Sequence, residues 1–128
     1  MKTVIILFIS LISIQGFNVY AQSSDEIQLM QIGYAIKDFQ NQMTFNNAKI
    51  ACQKLGKQWS VPTYDQFEII QPALVDIGET SSEGNYFWCT KGGKPYTSLG
   101  TNNSKVIEVS NLYSVRCVRR LRPSEMGE

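Results

Sequence analysis

The sequence predicts an α+β domain, and three observations carry that reading. One strand-like opening is followed by two capped helix patterns, and a run of short strand and turn signals fills the C-terminal half. A cysteine in the first helix pattern and another in the last strand pattern both stand where a core-facing side chain is expected. The 128 residues include 3 Cys and no His, with a formal net charge of +1.

Polar residues 22–27 are expected to fray, and residues 29–36 are apolar enough for the opening strand, with Gly33 as a bulge. Residues 38–42 read as a polar connection. Thr44 then stands as an N-cap, and Phe45, Ala48, Ala51, Cys52 and Leu55 recur at helical spacing. Gly56 suits a stop, because it accepts the left-handed backbone of a C-terminal cap. Thr63 and Gln66 form a capping-box pattern for a second helix with Tyr64, Phe67 and Ile70 on one stripe. Pro72 lacks a backbone donor, so this helix should end or kink near Gln71, with a short turn over 73–77 closed by Gly78.

After a polar loop at 79–84, Tyr86-Phe-Trp-Cys-Thr90 is a dense strand signal expected at the sheet centre. A turn at 91–95, a short strand at 96–99 and a turn at 100–104 follow. A strand at 105–109, a tight connection at 110–111 and a last strand at 112–121 complete the chain. The expected architecture is two helices packed on a twisted antiparallel sheet.

The N-terminus predicts export. Met1-Lys-Thr is a short basic start, residues 4–14 are almost wholly apolar, and Val19 and Ala21 occupy small-x-small cleavage positions. Gln15, Gly16 and Asn18 interrupt the apolar run well short of the roughly 20 residues of a spanning helix. The reading is a signal peptide over 1–21 and a single domain over 22–128 with its ordered core near 28–121. No membrane span remains after cleavage, and the destination is periplasmic or extracellular. Loss of Lys2 with the leader removes the excess positive charge, so nothing in the balance suggests nucleic acid. Arg116, Arg119, Arg120 and Arg122 read as a solvated strand face and tail.

Three cysteines in an exported chain imply one disulfide and one thiol left over. The chain-entropy model separates the alternative pairings by less than about 1 kcal/mol, so side-chain direction must choose. Cys52 shares a helical face with Ala48, Ala51 and Leu55, and Cys117 alternates with Val115, which predicts Cys52–Cys117 with Cys89 free.

Without histidine the chain lacks the usual general base near neutral pH and the commonest zinc ligand. Cys89 has no imidazole to deprotonate it and reads as a small buried hydrophobe. Asp65 and Glu68 could flank a site, but acidic groups in a first helical turn also favour the helix dipole. Trp59, Trp88 and Phe87 are expected in the core. No catalytic residue, metal or cofactor is expected. The expected ligand surface lies over 91–104, with Lys91, Lys94, Tyr96, Asn102 and Asn103 among Gly92, Gly93 and Gly100. Its alternative is a pair of ordinary hairpin turns. Asn102-Asn-Ser104 also fits a glycosylation acceptor in a eukaryotic secretory route.

Taken together, Ala48-x-x-x-Cys52-x-x-Leu55-Gly56, Trp59-Ser-Val-Pro-Thr63, Glu68, Phe87-Trp88-Cys89-Thr90 and Val115-Arg-Cys-Val-Arg119 resemble the C-type lectin-like fold. Within it they are most similar to the bacterial domains at the C-terminus of collagen-like adhesins. The resemblance spans about residues 33–120. It departs at Val61, where the pattern has leucine, at Cys89, where it has serine, and in the short segment between Thr90 and Lys105. Pro95 stands between Lys94 and Tyr96, neither a hard calcium ligand, so calcium-dependent sugar binding is not carried over.

The resemblance and the residues together imply a secreted, non-catalytic binding or adhesion module. It would recognise a glycan or an extracellular or envelope protein through the loops after Trp88. The alternative is a structural or accessory subunit of a cell-envelope or surface assembly, linked through Cys89.

Overall fold

Along the chain the elements are β1 (Ile27–Leu29), β2 (Tyr34–Met43), α1 (Phe45–Leu55), α2 (Tyr64–Asp76), β3 (Phe87–Lys91), β4 (Lys94–Ser98), β5 (Lys105–Val106), β6 (Tyr113–Arg120) and a short 3-10 helix (Pro123–Met126). The structure is a computed structural model that describes residues 23–79, 84–98 and 109–127, and the backbone of 105–106. The expected leader and Gly100, Asn102, Asn103 and Ser104 of the expected surface lie outside the described residues.

The opening differs from expectation. Residues 29–36 are not one strand with a bulge, because the chain turns back at once and β1 pairs antiparallel with β2. Gly33, at φ +78°, closes the turn, its N–H donating to the Leu29 carbonyl at 2.9 Å. The preceding residues are tied down rather than frayed, since Ser24 N–H donates to the Asp38 carbonyl at 2.7 Å. The expected connection at 38–42 is the second half of β2. Its polar character misleads because Asp38 is neutralised across the sheet by Arg116, its register partner on β6.

Both helices start where their caps stand. Thr44 Oγ1 accepts from Asn47 N–H at 3.4 Å, and Thr63 Oγ1 and the Gln66 side chain exchange hydrogen bonds with each other's backbone N–H at 3.1 and 3.0 Å. Gly56 ends α1, although at φ +147° and ψ 167° it occupies a glycine-only extended region rather than the left-handed helical one. The α2 helix passes through Pro72 to Asp76. Proline in a helix interior costs about 3 kcal/mol. Burial of Ala73 and Leu74 beyond it, with Ile36 and Val118 in one core, offsets that cost.

Among the described residues the sheet has six strands in the order β1-β2-β6-β3-β4-β5. It is mixed, which corrects the expected antiparallel sheet, because β3 and β6 run parallel and meet at Phe87↔Ser114. The chain leaves the β5 edge and returns to the centre, so β6 lies beside β3 and not beside β5. Where β3 and β6 part, the segment before α2 fills the gap. Ser60 exchanges two backbone hydrogen bonds with Val118 at 3.0 and 2.8 Å, and Thr90 N–H donates to the Pro62 carbonyl at 3.0 Å.

Successive strand side chains point to opposite faces. Ala35, Phe39, Val115 and Cys117 accordingly pack with Ala48 and Cys52 of α1, whereas Ile36 and Val118 pack with Ile70 and Leu74 of α2. The two helices therefore cover opposite faces of the sheet. Trp88, 0% exposed, pins the α1 side, donating from Nε1 to the Met43 carbonyl at 2.7 Å with its ring 5.3 Å from Phe45. Cys52 and Cys117 form the expected disulfide across a sequence separation of 65.

Candidate functional site

The β3–β4 hairpin carries three of the expected surface residues. Its turn is narrower than the expected 91–95, because Lys91 pairs directly with Lys94 and only Gly92 and Gly93 lie between. Both glycines have positive φ, +60° and +78°, which is the two-residue turn that matches strand twist and favours glycine. Lys91 and Lys94 are exposed at the tip, and Tyr96 is half-buried.

On the α2 side, Lys91 Nζ stands 4.6 Å from the centre of the Tyr64 ring and 5.4 Å from that of Tyr96. On the α1 side, Thr90 and Gly93 join Phe45, Lys49, Gln53 and Ser60 around a cavity of about 180 Å³. Tyr64 and Lys49 were not among the expected site residues. Tyr64 shares the spacing of the core stripe, and its place beneath Lys91 depends on α2 docking against β3. Nothing local in the sequence points to Lys49.

A second concavity, about 670 Å³, lies between the end of β2 and α1. Its walls include Phe39, Met43, Ala51 and Leu55, and its mouth includes Ile50 and Leu112, 48% and 56% exposed. Ile50 falls outside the expected apolar stripe of α1, which is the one sequence signal for this groove.

The other singled-out residues are structural. Trp59, Trp88 and Phe87 are buried, as expected. Asp65 is exposed, while Glu68 is half-buried and accepts from Ser98 Oγ at 3.1 Å, so the two carboxylates do different things. Cys89 is free and 0% exposed. Burial pushes its thiol up to about 12, with the Glu68 charge adding and Lys91 opposing. Such a thiol offers almost no thiolate near neutral pH.

The arginine cluster corrects the expected solvated face. Arg116, 1% exposed, donates from Nε and Nη2 to the Asp38 carboxylate at 2.7 and 2.9 Å, with its guanidinium 4.3 Å from the Phe87 ring centre. Arg119 is also buried and pairs with Glu26 and Glu125 at 2.6 Å each. Arg120 and Arg122 do reach solvent. The misreading has a physical cause: the acids that let these arginines go inside lie far away in sequence or past the last strand.

No group of three His, Cys, Asp or Glu side chains gathers as a metal site among the described residues. No described helix is long and apolar enough to cross a membrane. No protein-family model and no curated protein sequence matches this chain.

Proposed function

We propose that the chain is an exported, non-catalytic binding module of the C-type lectin-like kind. It recognises a glycan or an extracellular or envelope protein through the surface that follows Trp88. The observation that carries this reading is the β3–β4 hairpin, which presents Lys91, Lys94 and Tyr96 on a frame cross-linked through Cys52–Cys117. A disulfide in a domain of this size supports an oxidising compartment, in line with the leader-like N-terminus.

Secretion from the full-length chain, N-terminal sequencing of the product and a glycan array paired with a pull-down from extracellular fractions test the proposal together. The expected product begins at Gln22 and gives a specific hit that hairpin variants lose. A correctly folded product blank in both assays would overturn it.

The alternative, a structural or accessory subunit of a surface assembly, draws support from the apolar groove and its half-exposed Ile50 and Leu112. Linkage through Cys89 fits this fold poorly, because the thiol lies inside the β3 core. A stable assembly lost in Ile50→Glu, with glycan and protein capture absent, would favour this alternative.

A further inference from the structure

We propose that the β3–β4 hairpin tip binds the carboxylate or sulfate groups of an acidic saccharide, with Lys91 and Lys94 as its cations. The inference rests on the binding-module reading and names the ligand class for that surface.

Charge placement is the first argument. Lys91 and Lys94 are direct cross-strand partners, and like charges at such positions destabilise a hairpin. Elsewhere the chain gives buried cations acidic partners, as at Arg116–Asp38 and Arg119–Glu26. At the hairpin, among the described residues, no carboxylate lies within ion-pairing distance of either lysine. Glu68, on the same side of the sheet, instead accepts from Ser98. The tip thus keeps two adjacent positive charges that an anionic ligand would relieve.

Shape and chemistry narrow the anion to a sugar. Tyr64 and Tyr96 hold the Lys91 ammonium in place, which lowers the ordering cost of binding, and their half-buried rings flank the site with apolar surface. Among the described residues nothing lies within 4 Å of where a Cβ would stand on Gly92 or Gly93, which leaves room for a bulky chain over the turn. On the other side of the tip, the 180 Å³ cavity offers Lys49, Gln53, Ser60 and Thr90. An ammonium, an amide and two hydroxyls suit the hydroxyls and acidic substituent of one sugar unit. The cavity is well below the size of ordinary drug-sized pockets, and an extended peptide would find little depth in it.

The test uses protein secreted from its full-length chain and titrates four probes by calorimetry: a heparin-derived hexasaccharide, an oligogalacturonide of the same length, neutral maltohexaose and hexaglutamate. At least one acidic sugar should bind, with affinity falling as salt rises, and both maltohexaose and hexaglutamate should bind at least roughly tenfold more weakly. The double variant Lys91→Gln/Lys94→Gln should weaken that binding by roughly tenfold or more. Lys54→Gln, at the groove, should leave it unchanged. Lys94→Glu separates function from structure. It replaces a repulsive cross-strand pair with an attractive one, so Tm should rise by about 2–5 °C while acidic-sugar binding is lost.

Unchanged binding in Lys94→Glu, or hexaglutamate binding as tight as the sugars, would overturn the inference. Failure of both acidic sugars alongside a positive array for neutral glycans would sink it and leave the binding module standing. Blank results in the array and the pull-down as well would take the module with it.

Discussion

Arg116 keeps its guanidinium between the sheet and α2, giving two hydrogen bonds to Asp38 and a third, at 2.7 Å, to Gln71 Oε1. A buried charge of this kind is tolerated only while its partners remain. Asp38→Ala should therefore cost about 3–5 kcal/mol in urea unfolding, because it strands the cation inside. A loss below about 1 kcal/mol would show that its remaining partners, Gln71 and the Phe67 and Phe87 rings among them, suffice for it. Cys89 illustrates the opposite case, a reactive atom type made inert by its surroundings. In native protein a thiol reagent should find almost nothing to modify at neutral pH, and after unfolding it should find one thiol per chain. Prompt modification of the native form would mean that β3 opens.

Among the elements, the 3-10 helix after β6 carries a carboxyl whose contacts depend on pH. Hydrogen bonds from Arg119, followed by the Arg122 backbone N–H, hold the Glu125 carboxyl down to about 2. Its folded value lies below its ordinary one, so the contribution is fully present above about 4.5 and is lost as pH falls towards about 2. Thermal melts across that window should show a drop in Tm that Glu125→Gln reduces, and an unchanged slope would separate this contact from the fold's acid sensitivity. The helices were legible because their signals are local: Thr44 and the Thr63–Gln66 pair cap them, and Tyr64, Phe67 and Ile70 mark a stripe of which Phe67 and Ile70 are buried. The β2 strand was not, since its second half is polar and the Arg116 that pairs with Asp38 stands 78 residues away. Pro72 misled for a related reason, as the packing of Leu74 overrides a local preference.

At the scale of the whole molecule, the Cys52–Cys117 bond joins α1 to the central strand β6. Cys52→Ser or Cys117→Ser should each cost about 2–5 kcal/mol, read by denaturant unfolding. Cys89→Ala should cost less than either, and equal losses at all three positions would deny the bond its role. This pairing could be read from side-chain direction, because each cysteine lies in a clearly periodic element. The parallel meeting of β3 and β6 could not, since it depends on β6 returning to the centre of the sheet. The candidate site divides in the same way: Lys91, Lys94 and Tyr96 lie along one hairpin, while Tyr64 and Lys49 reach it from helices on opposite faces of the sheet. The disulfide also has a mechanical consequence for a protein tethered at its ends. The bond encloses a loop spanning 65 positions, which amounts to about 220 Å of extensible contour. Stretched in an optical trap, the oxidised chain should lengthen only through the segments flanking that loop, and a reductant should release the remainder as a separate step.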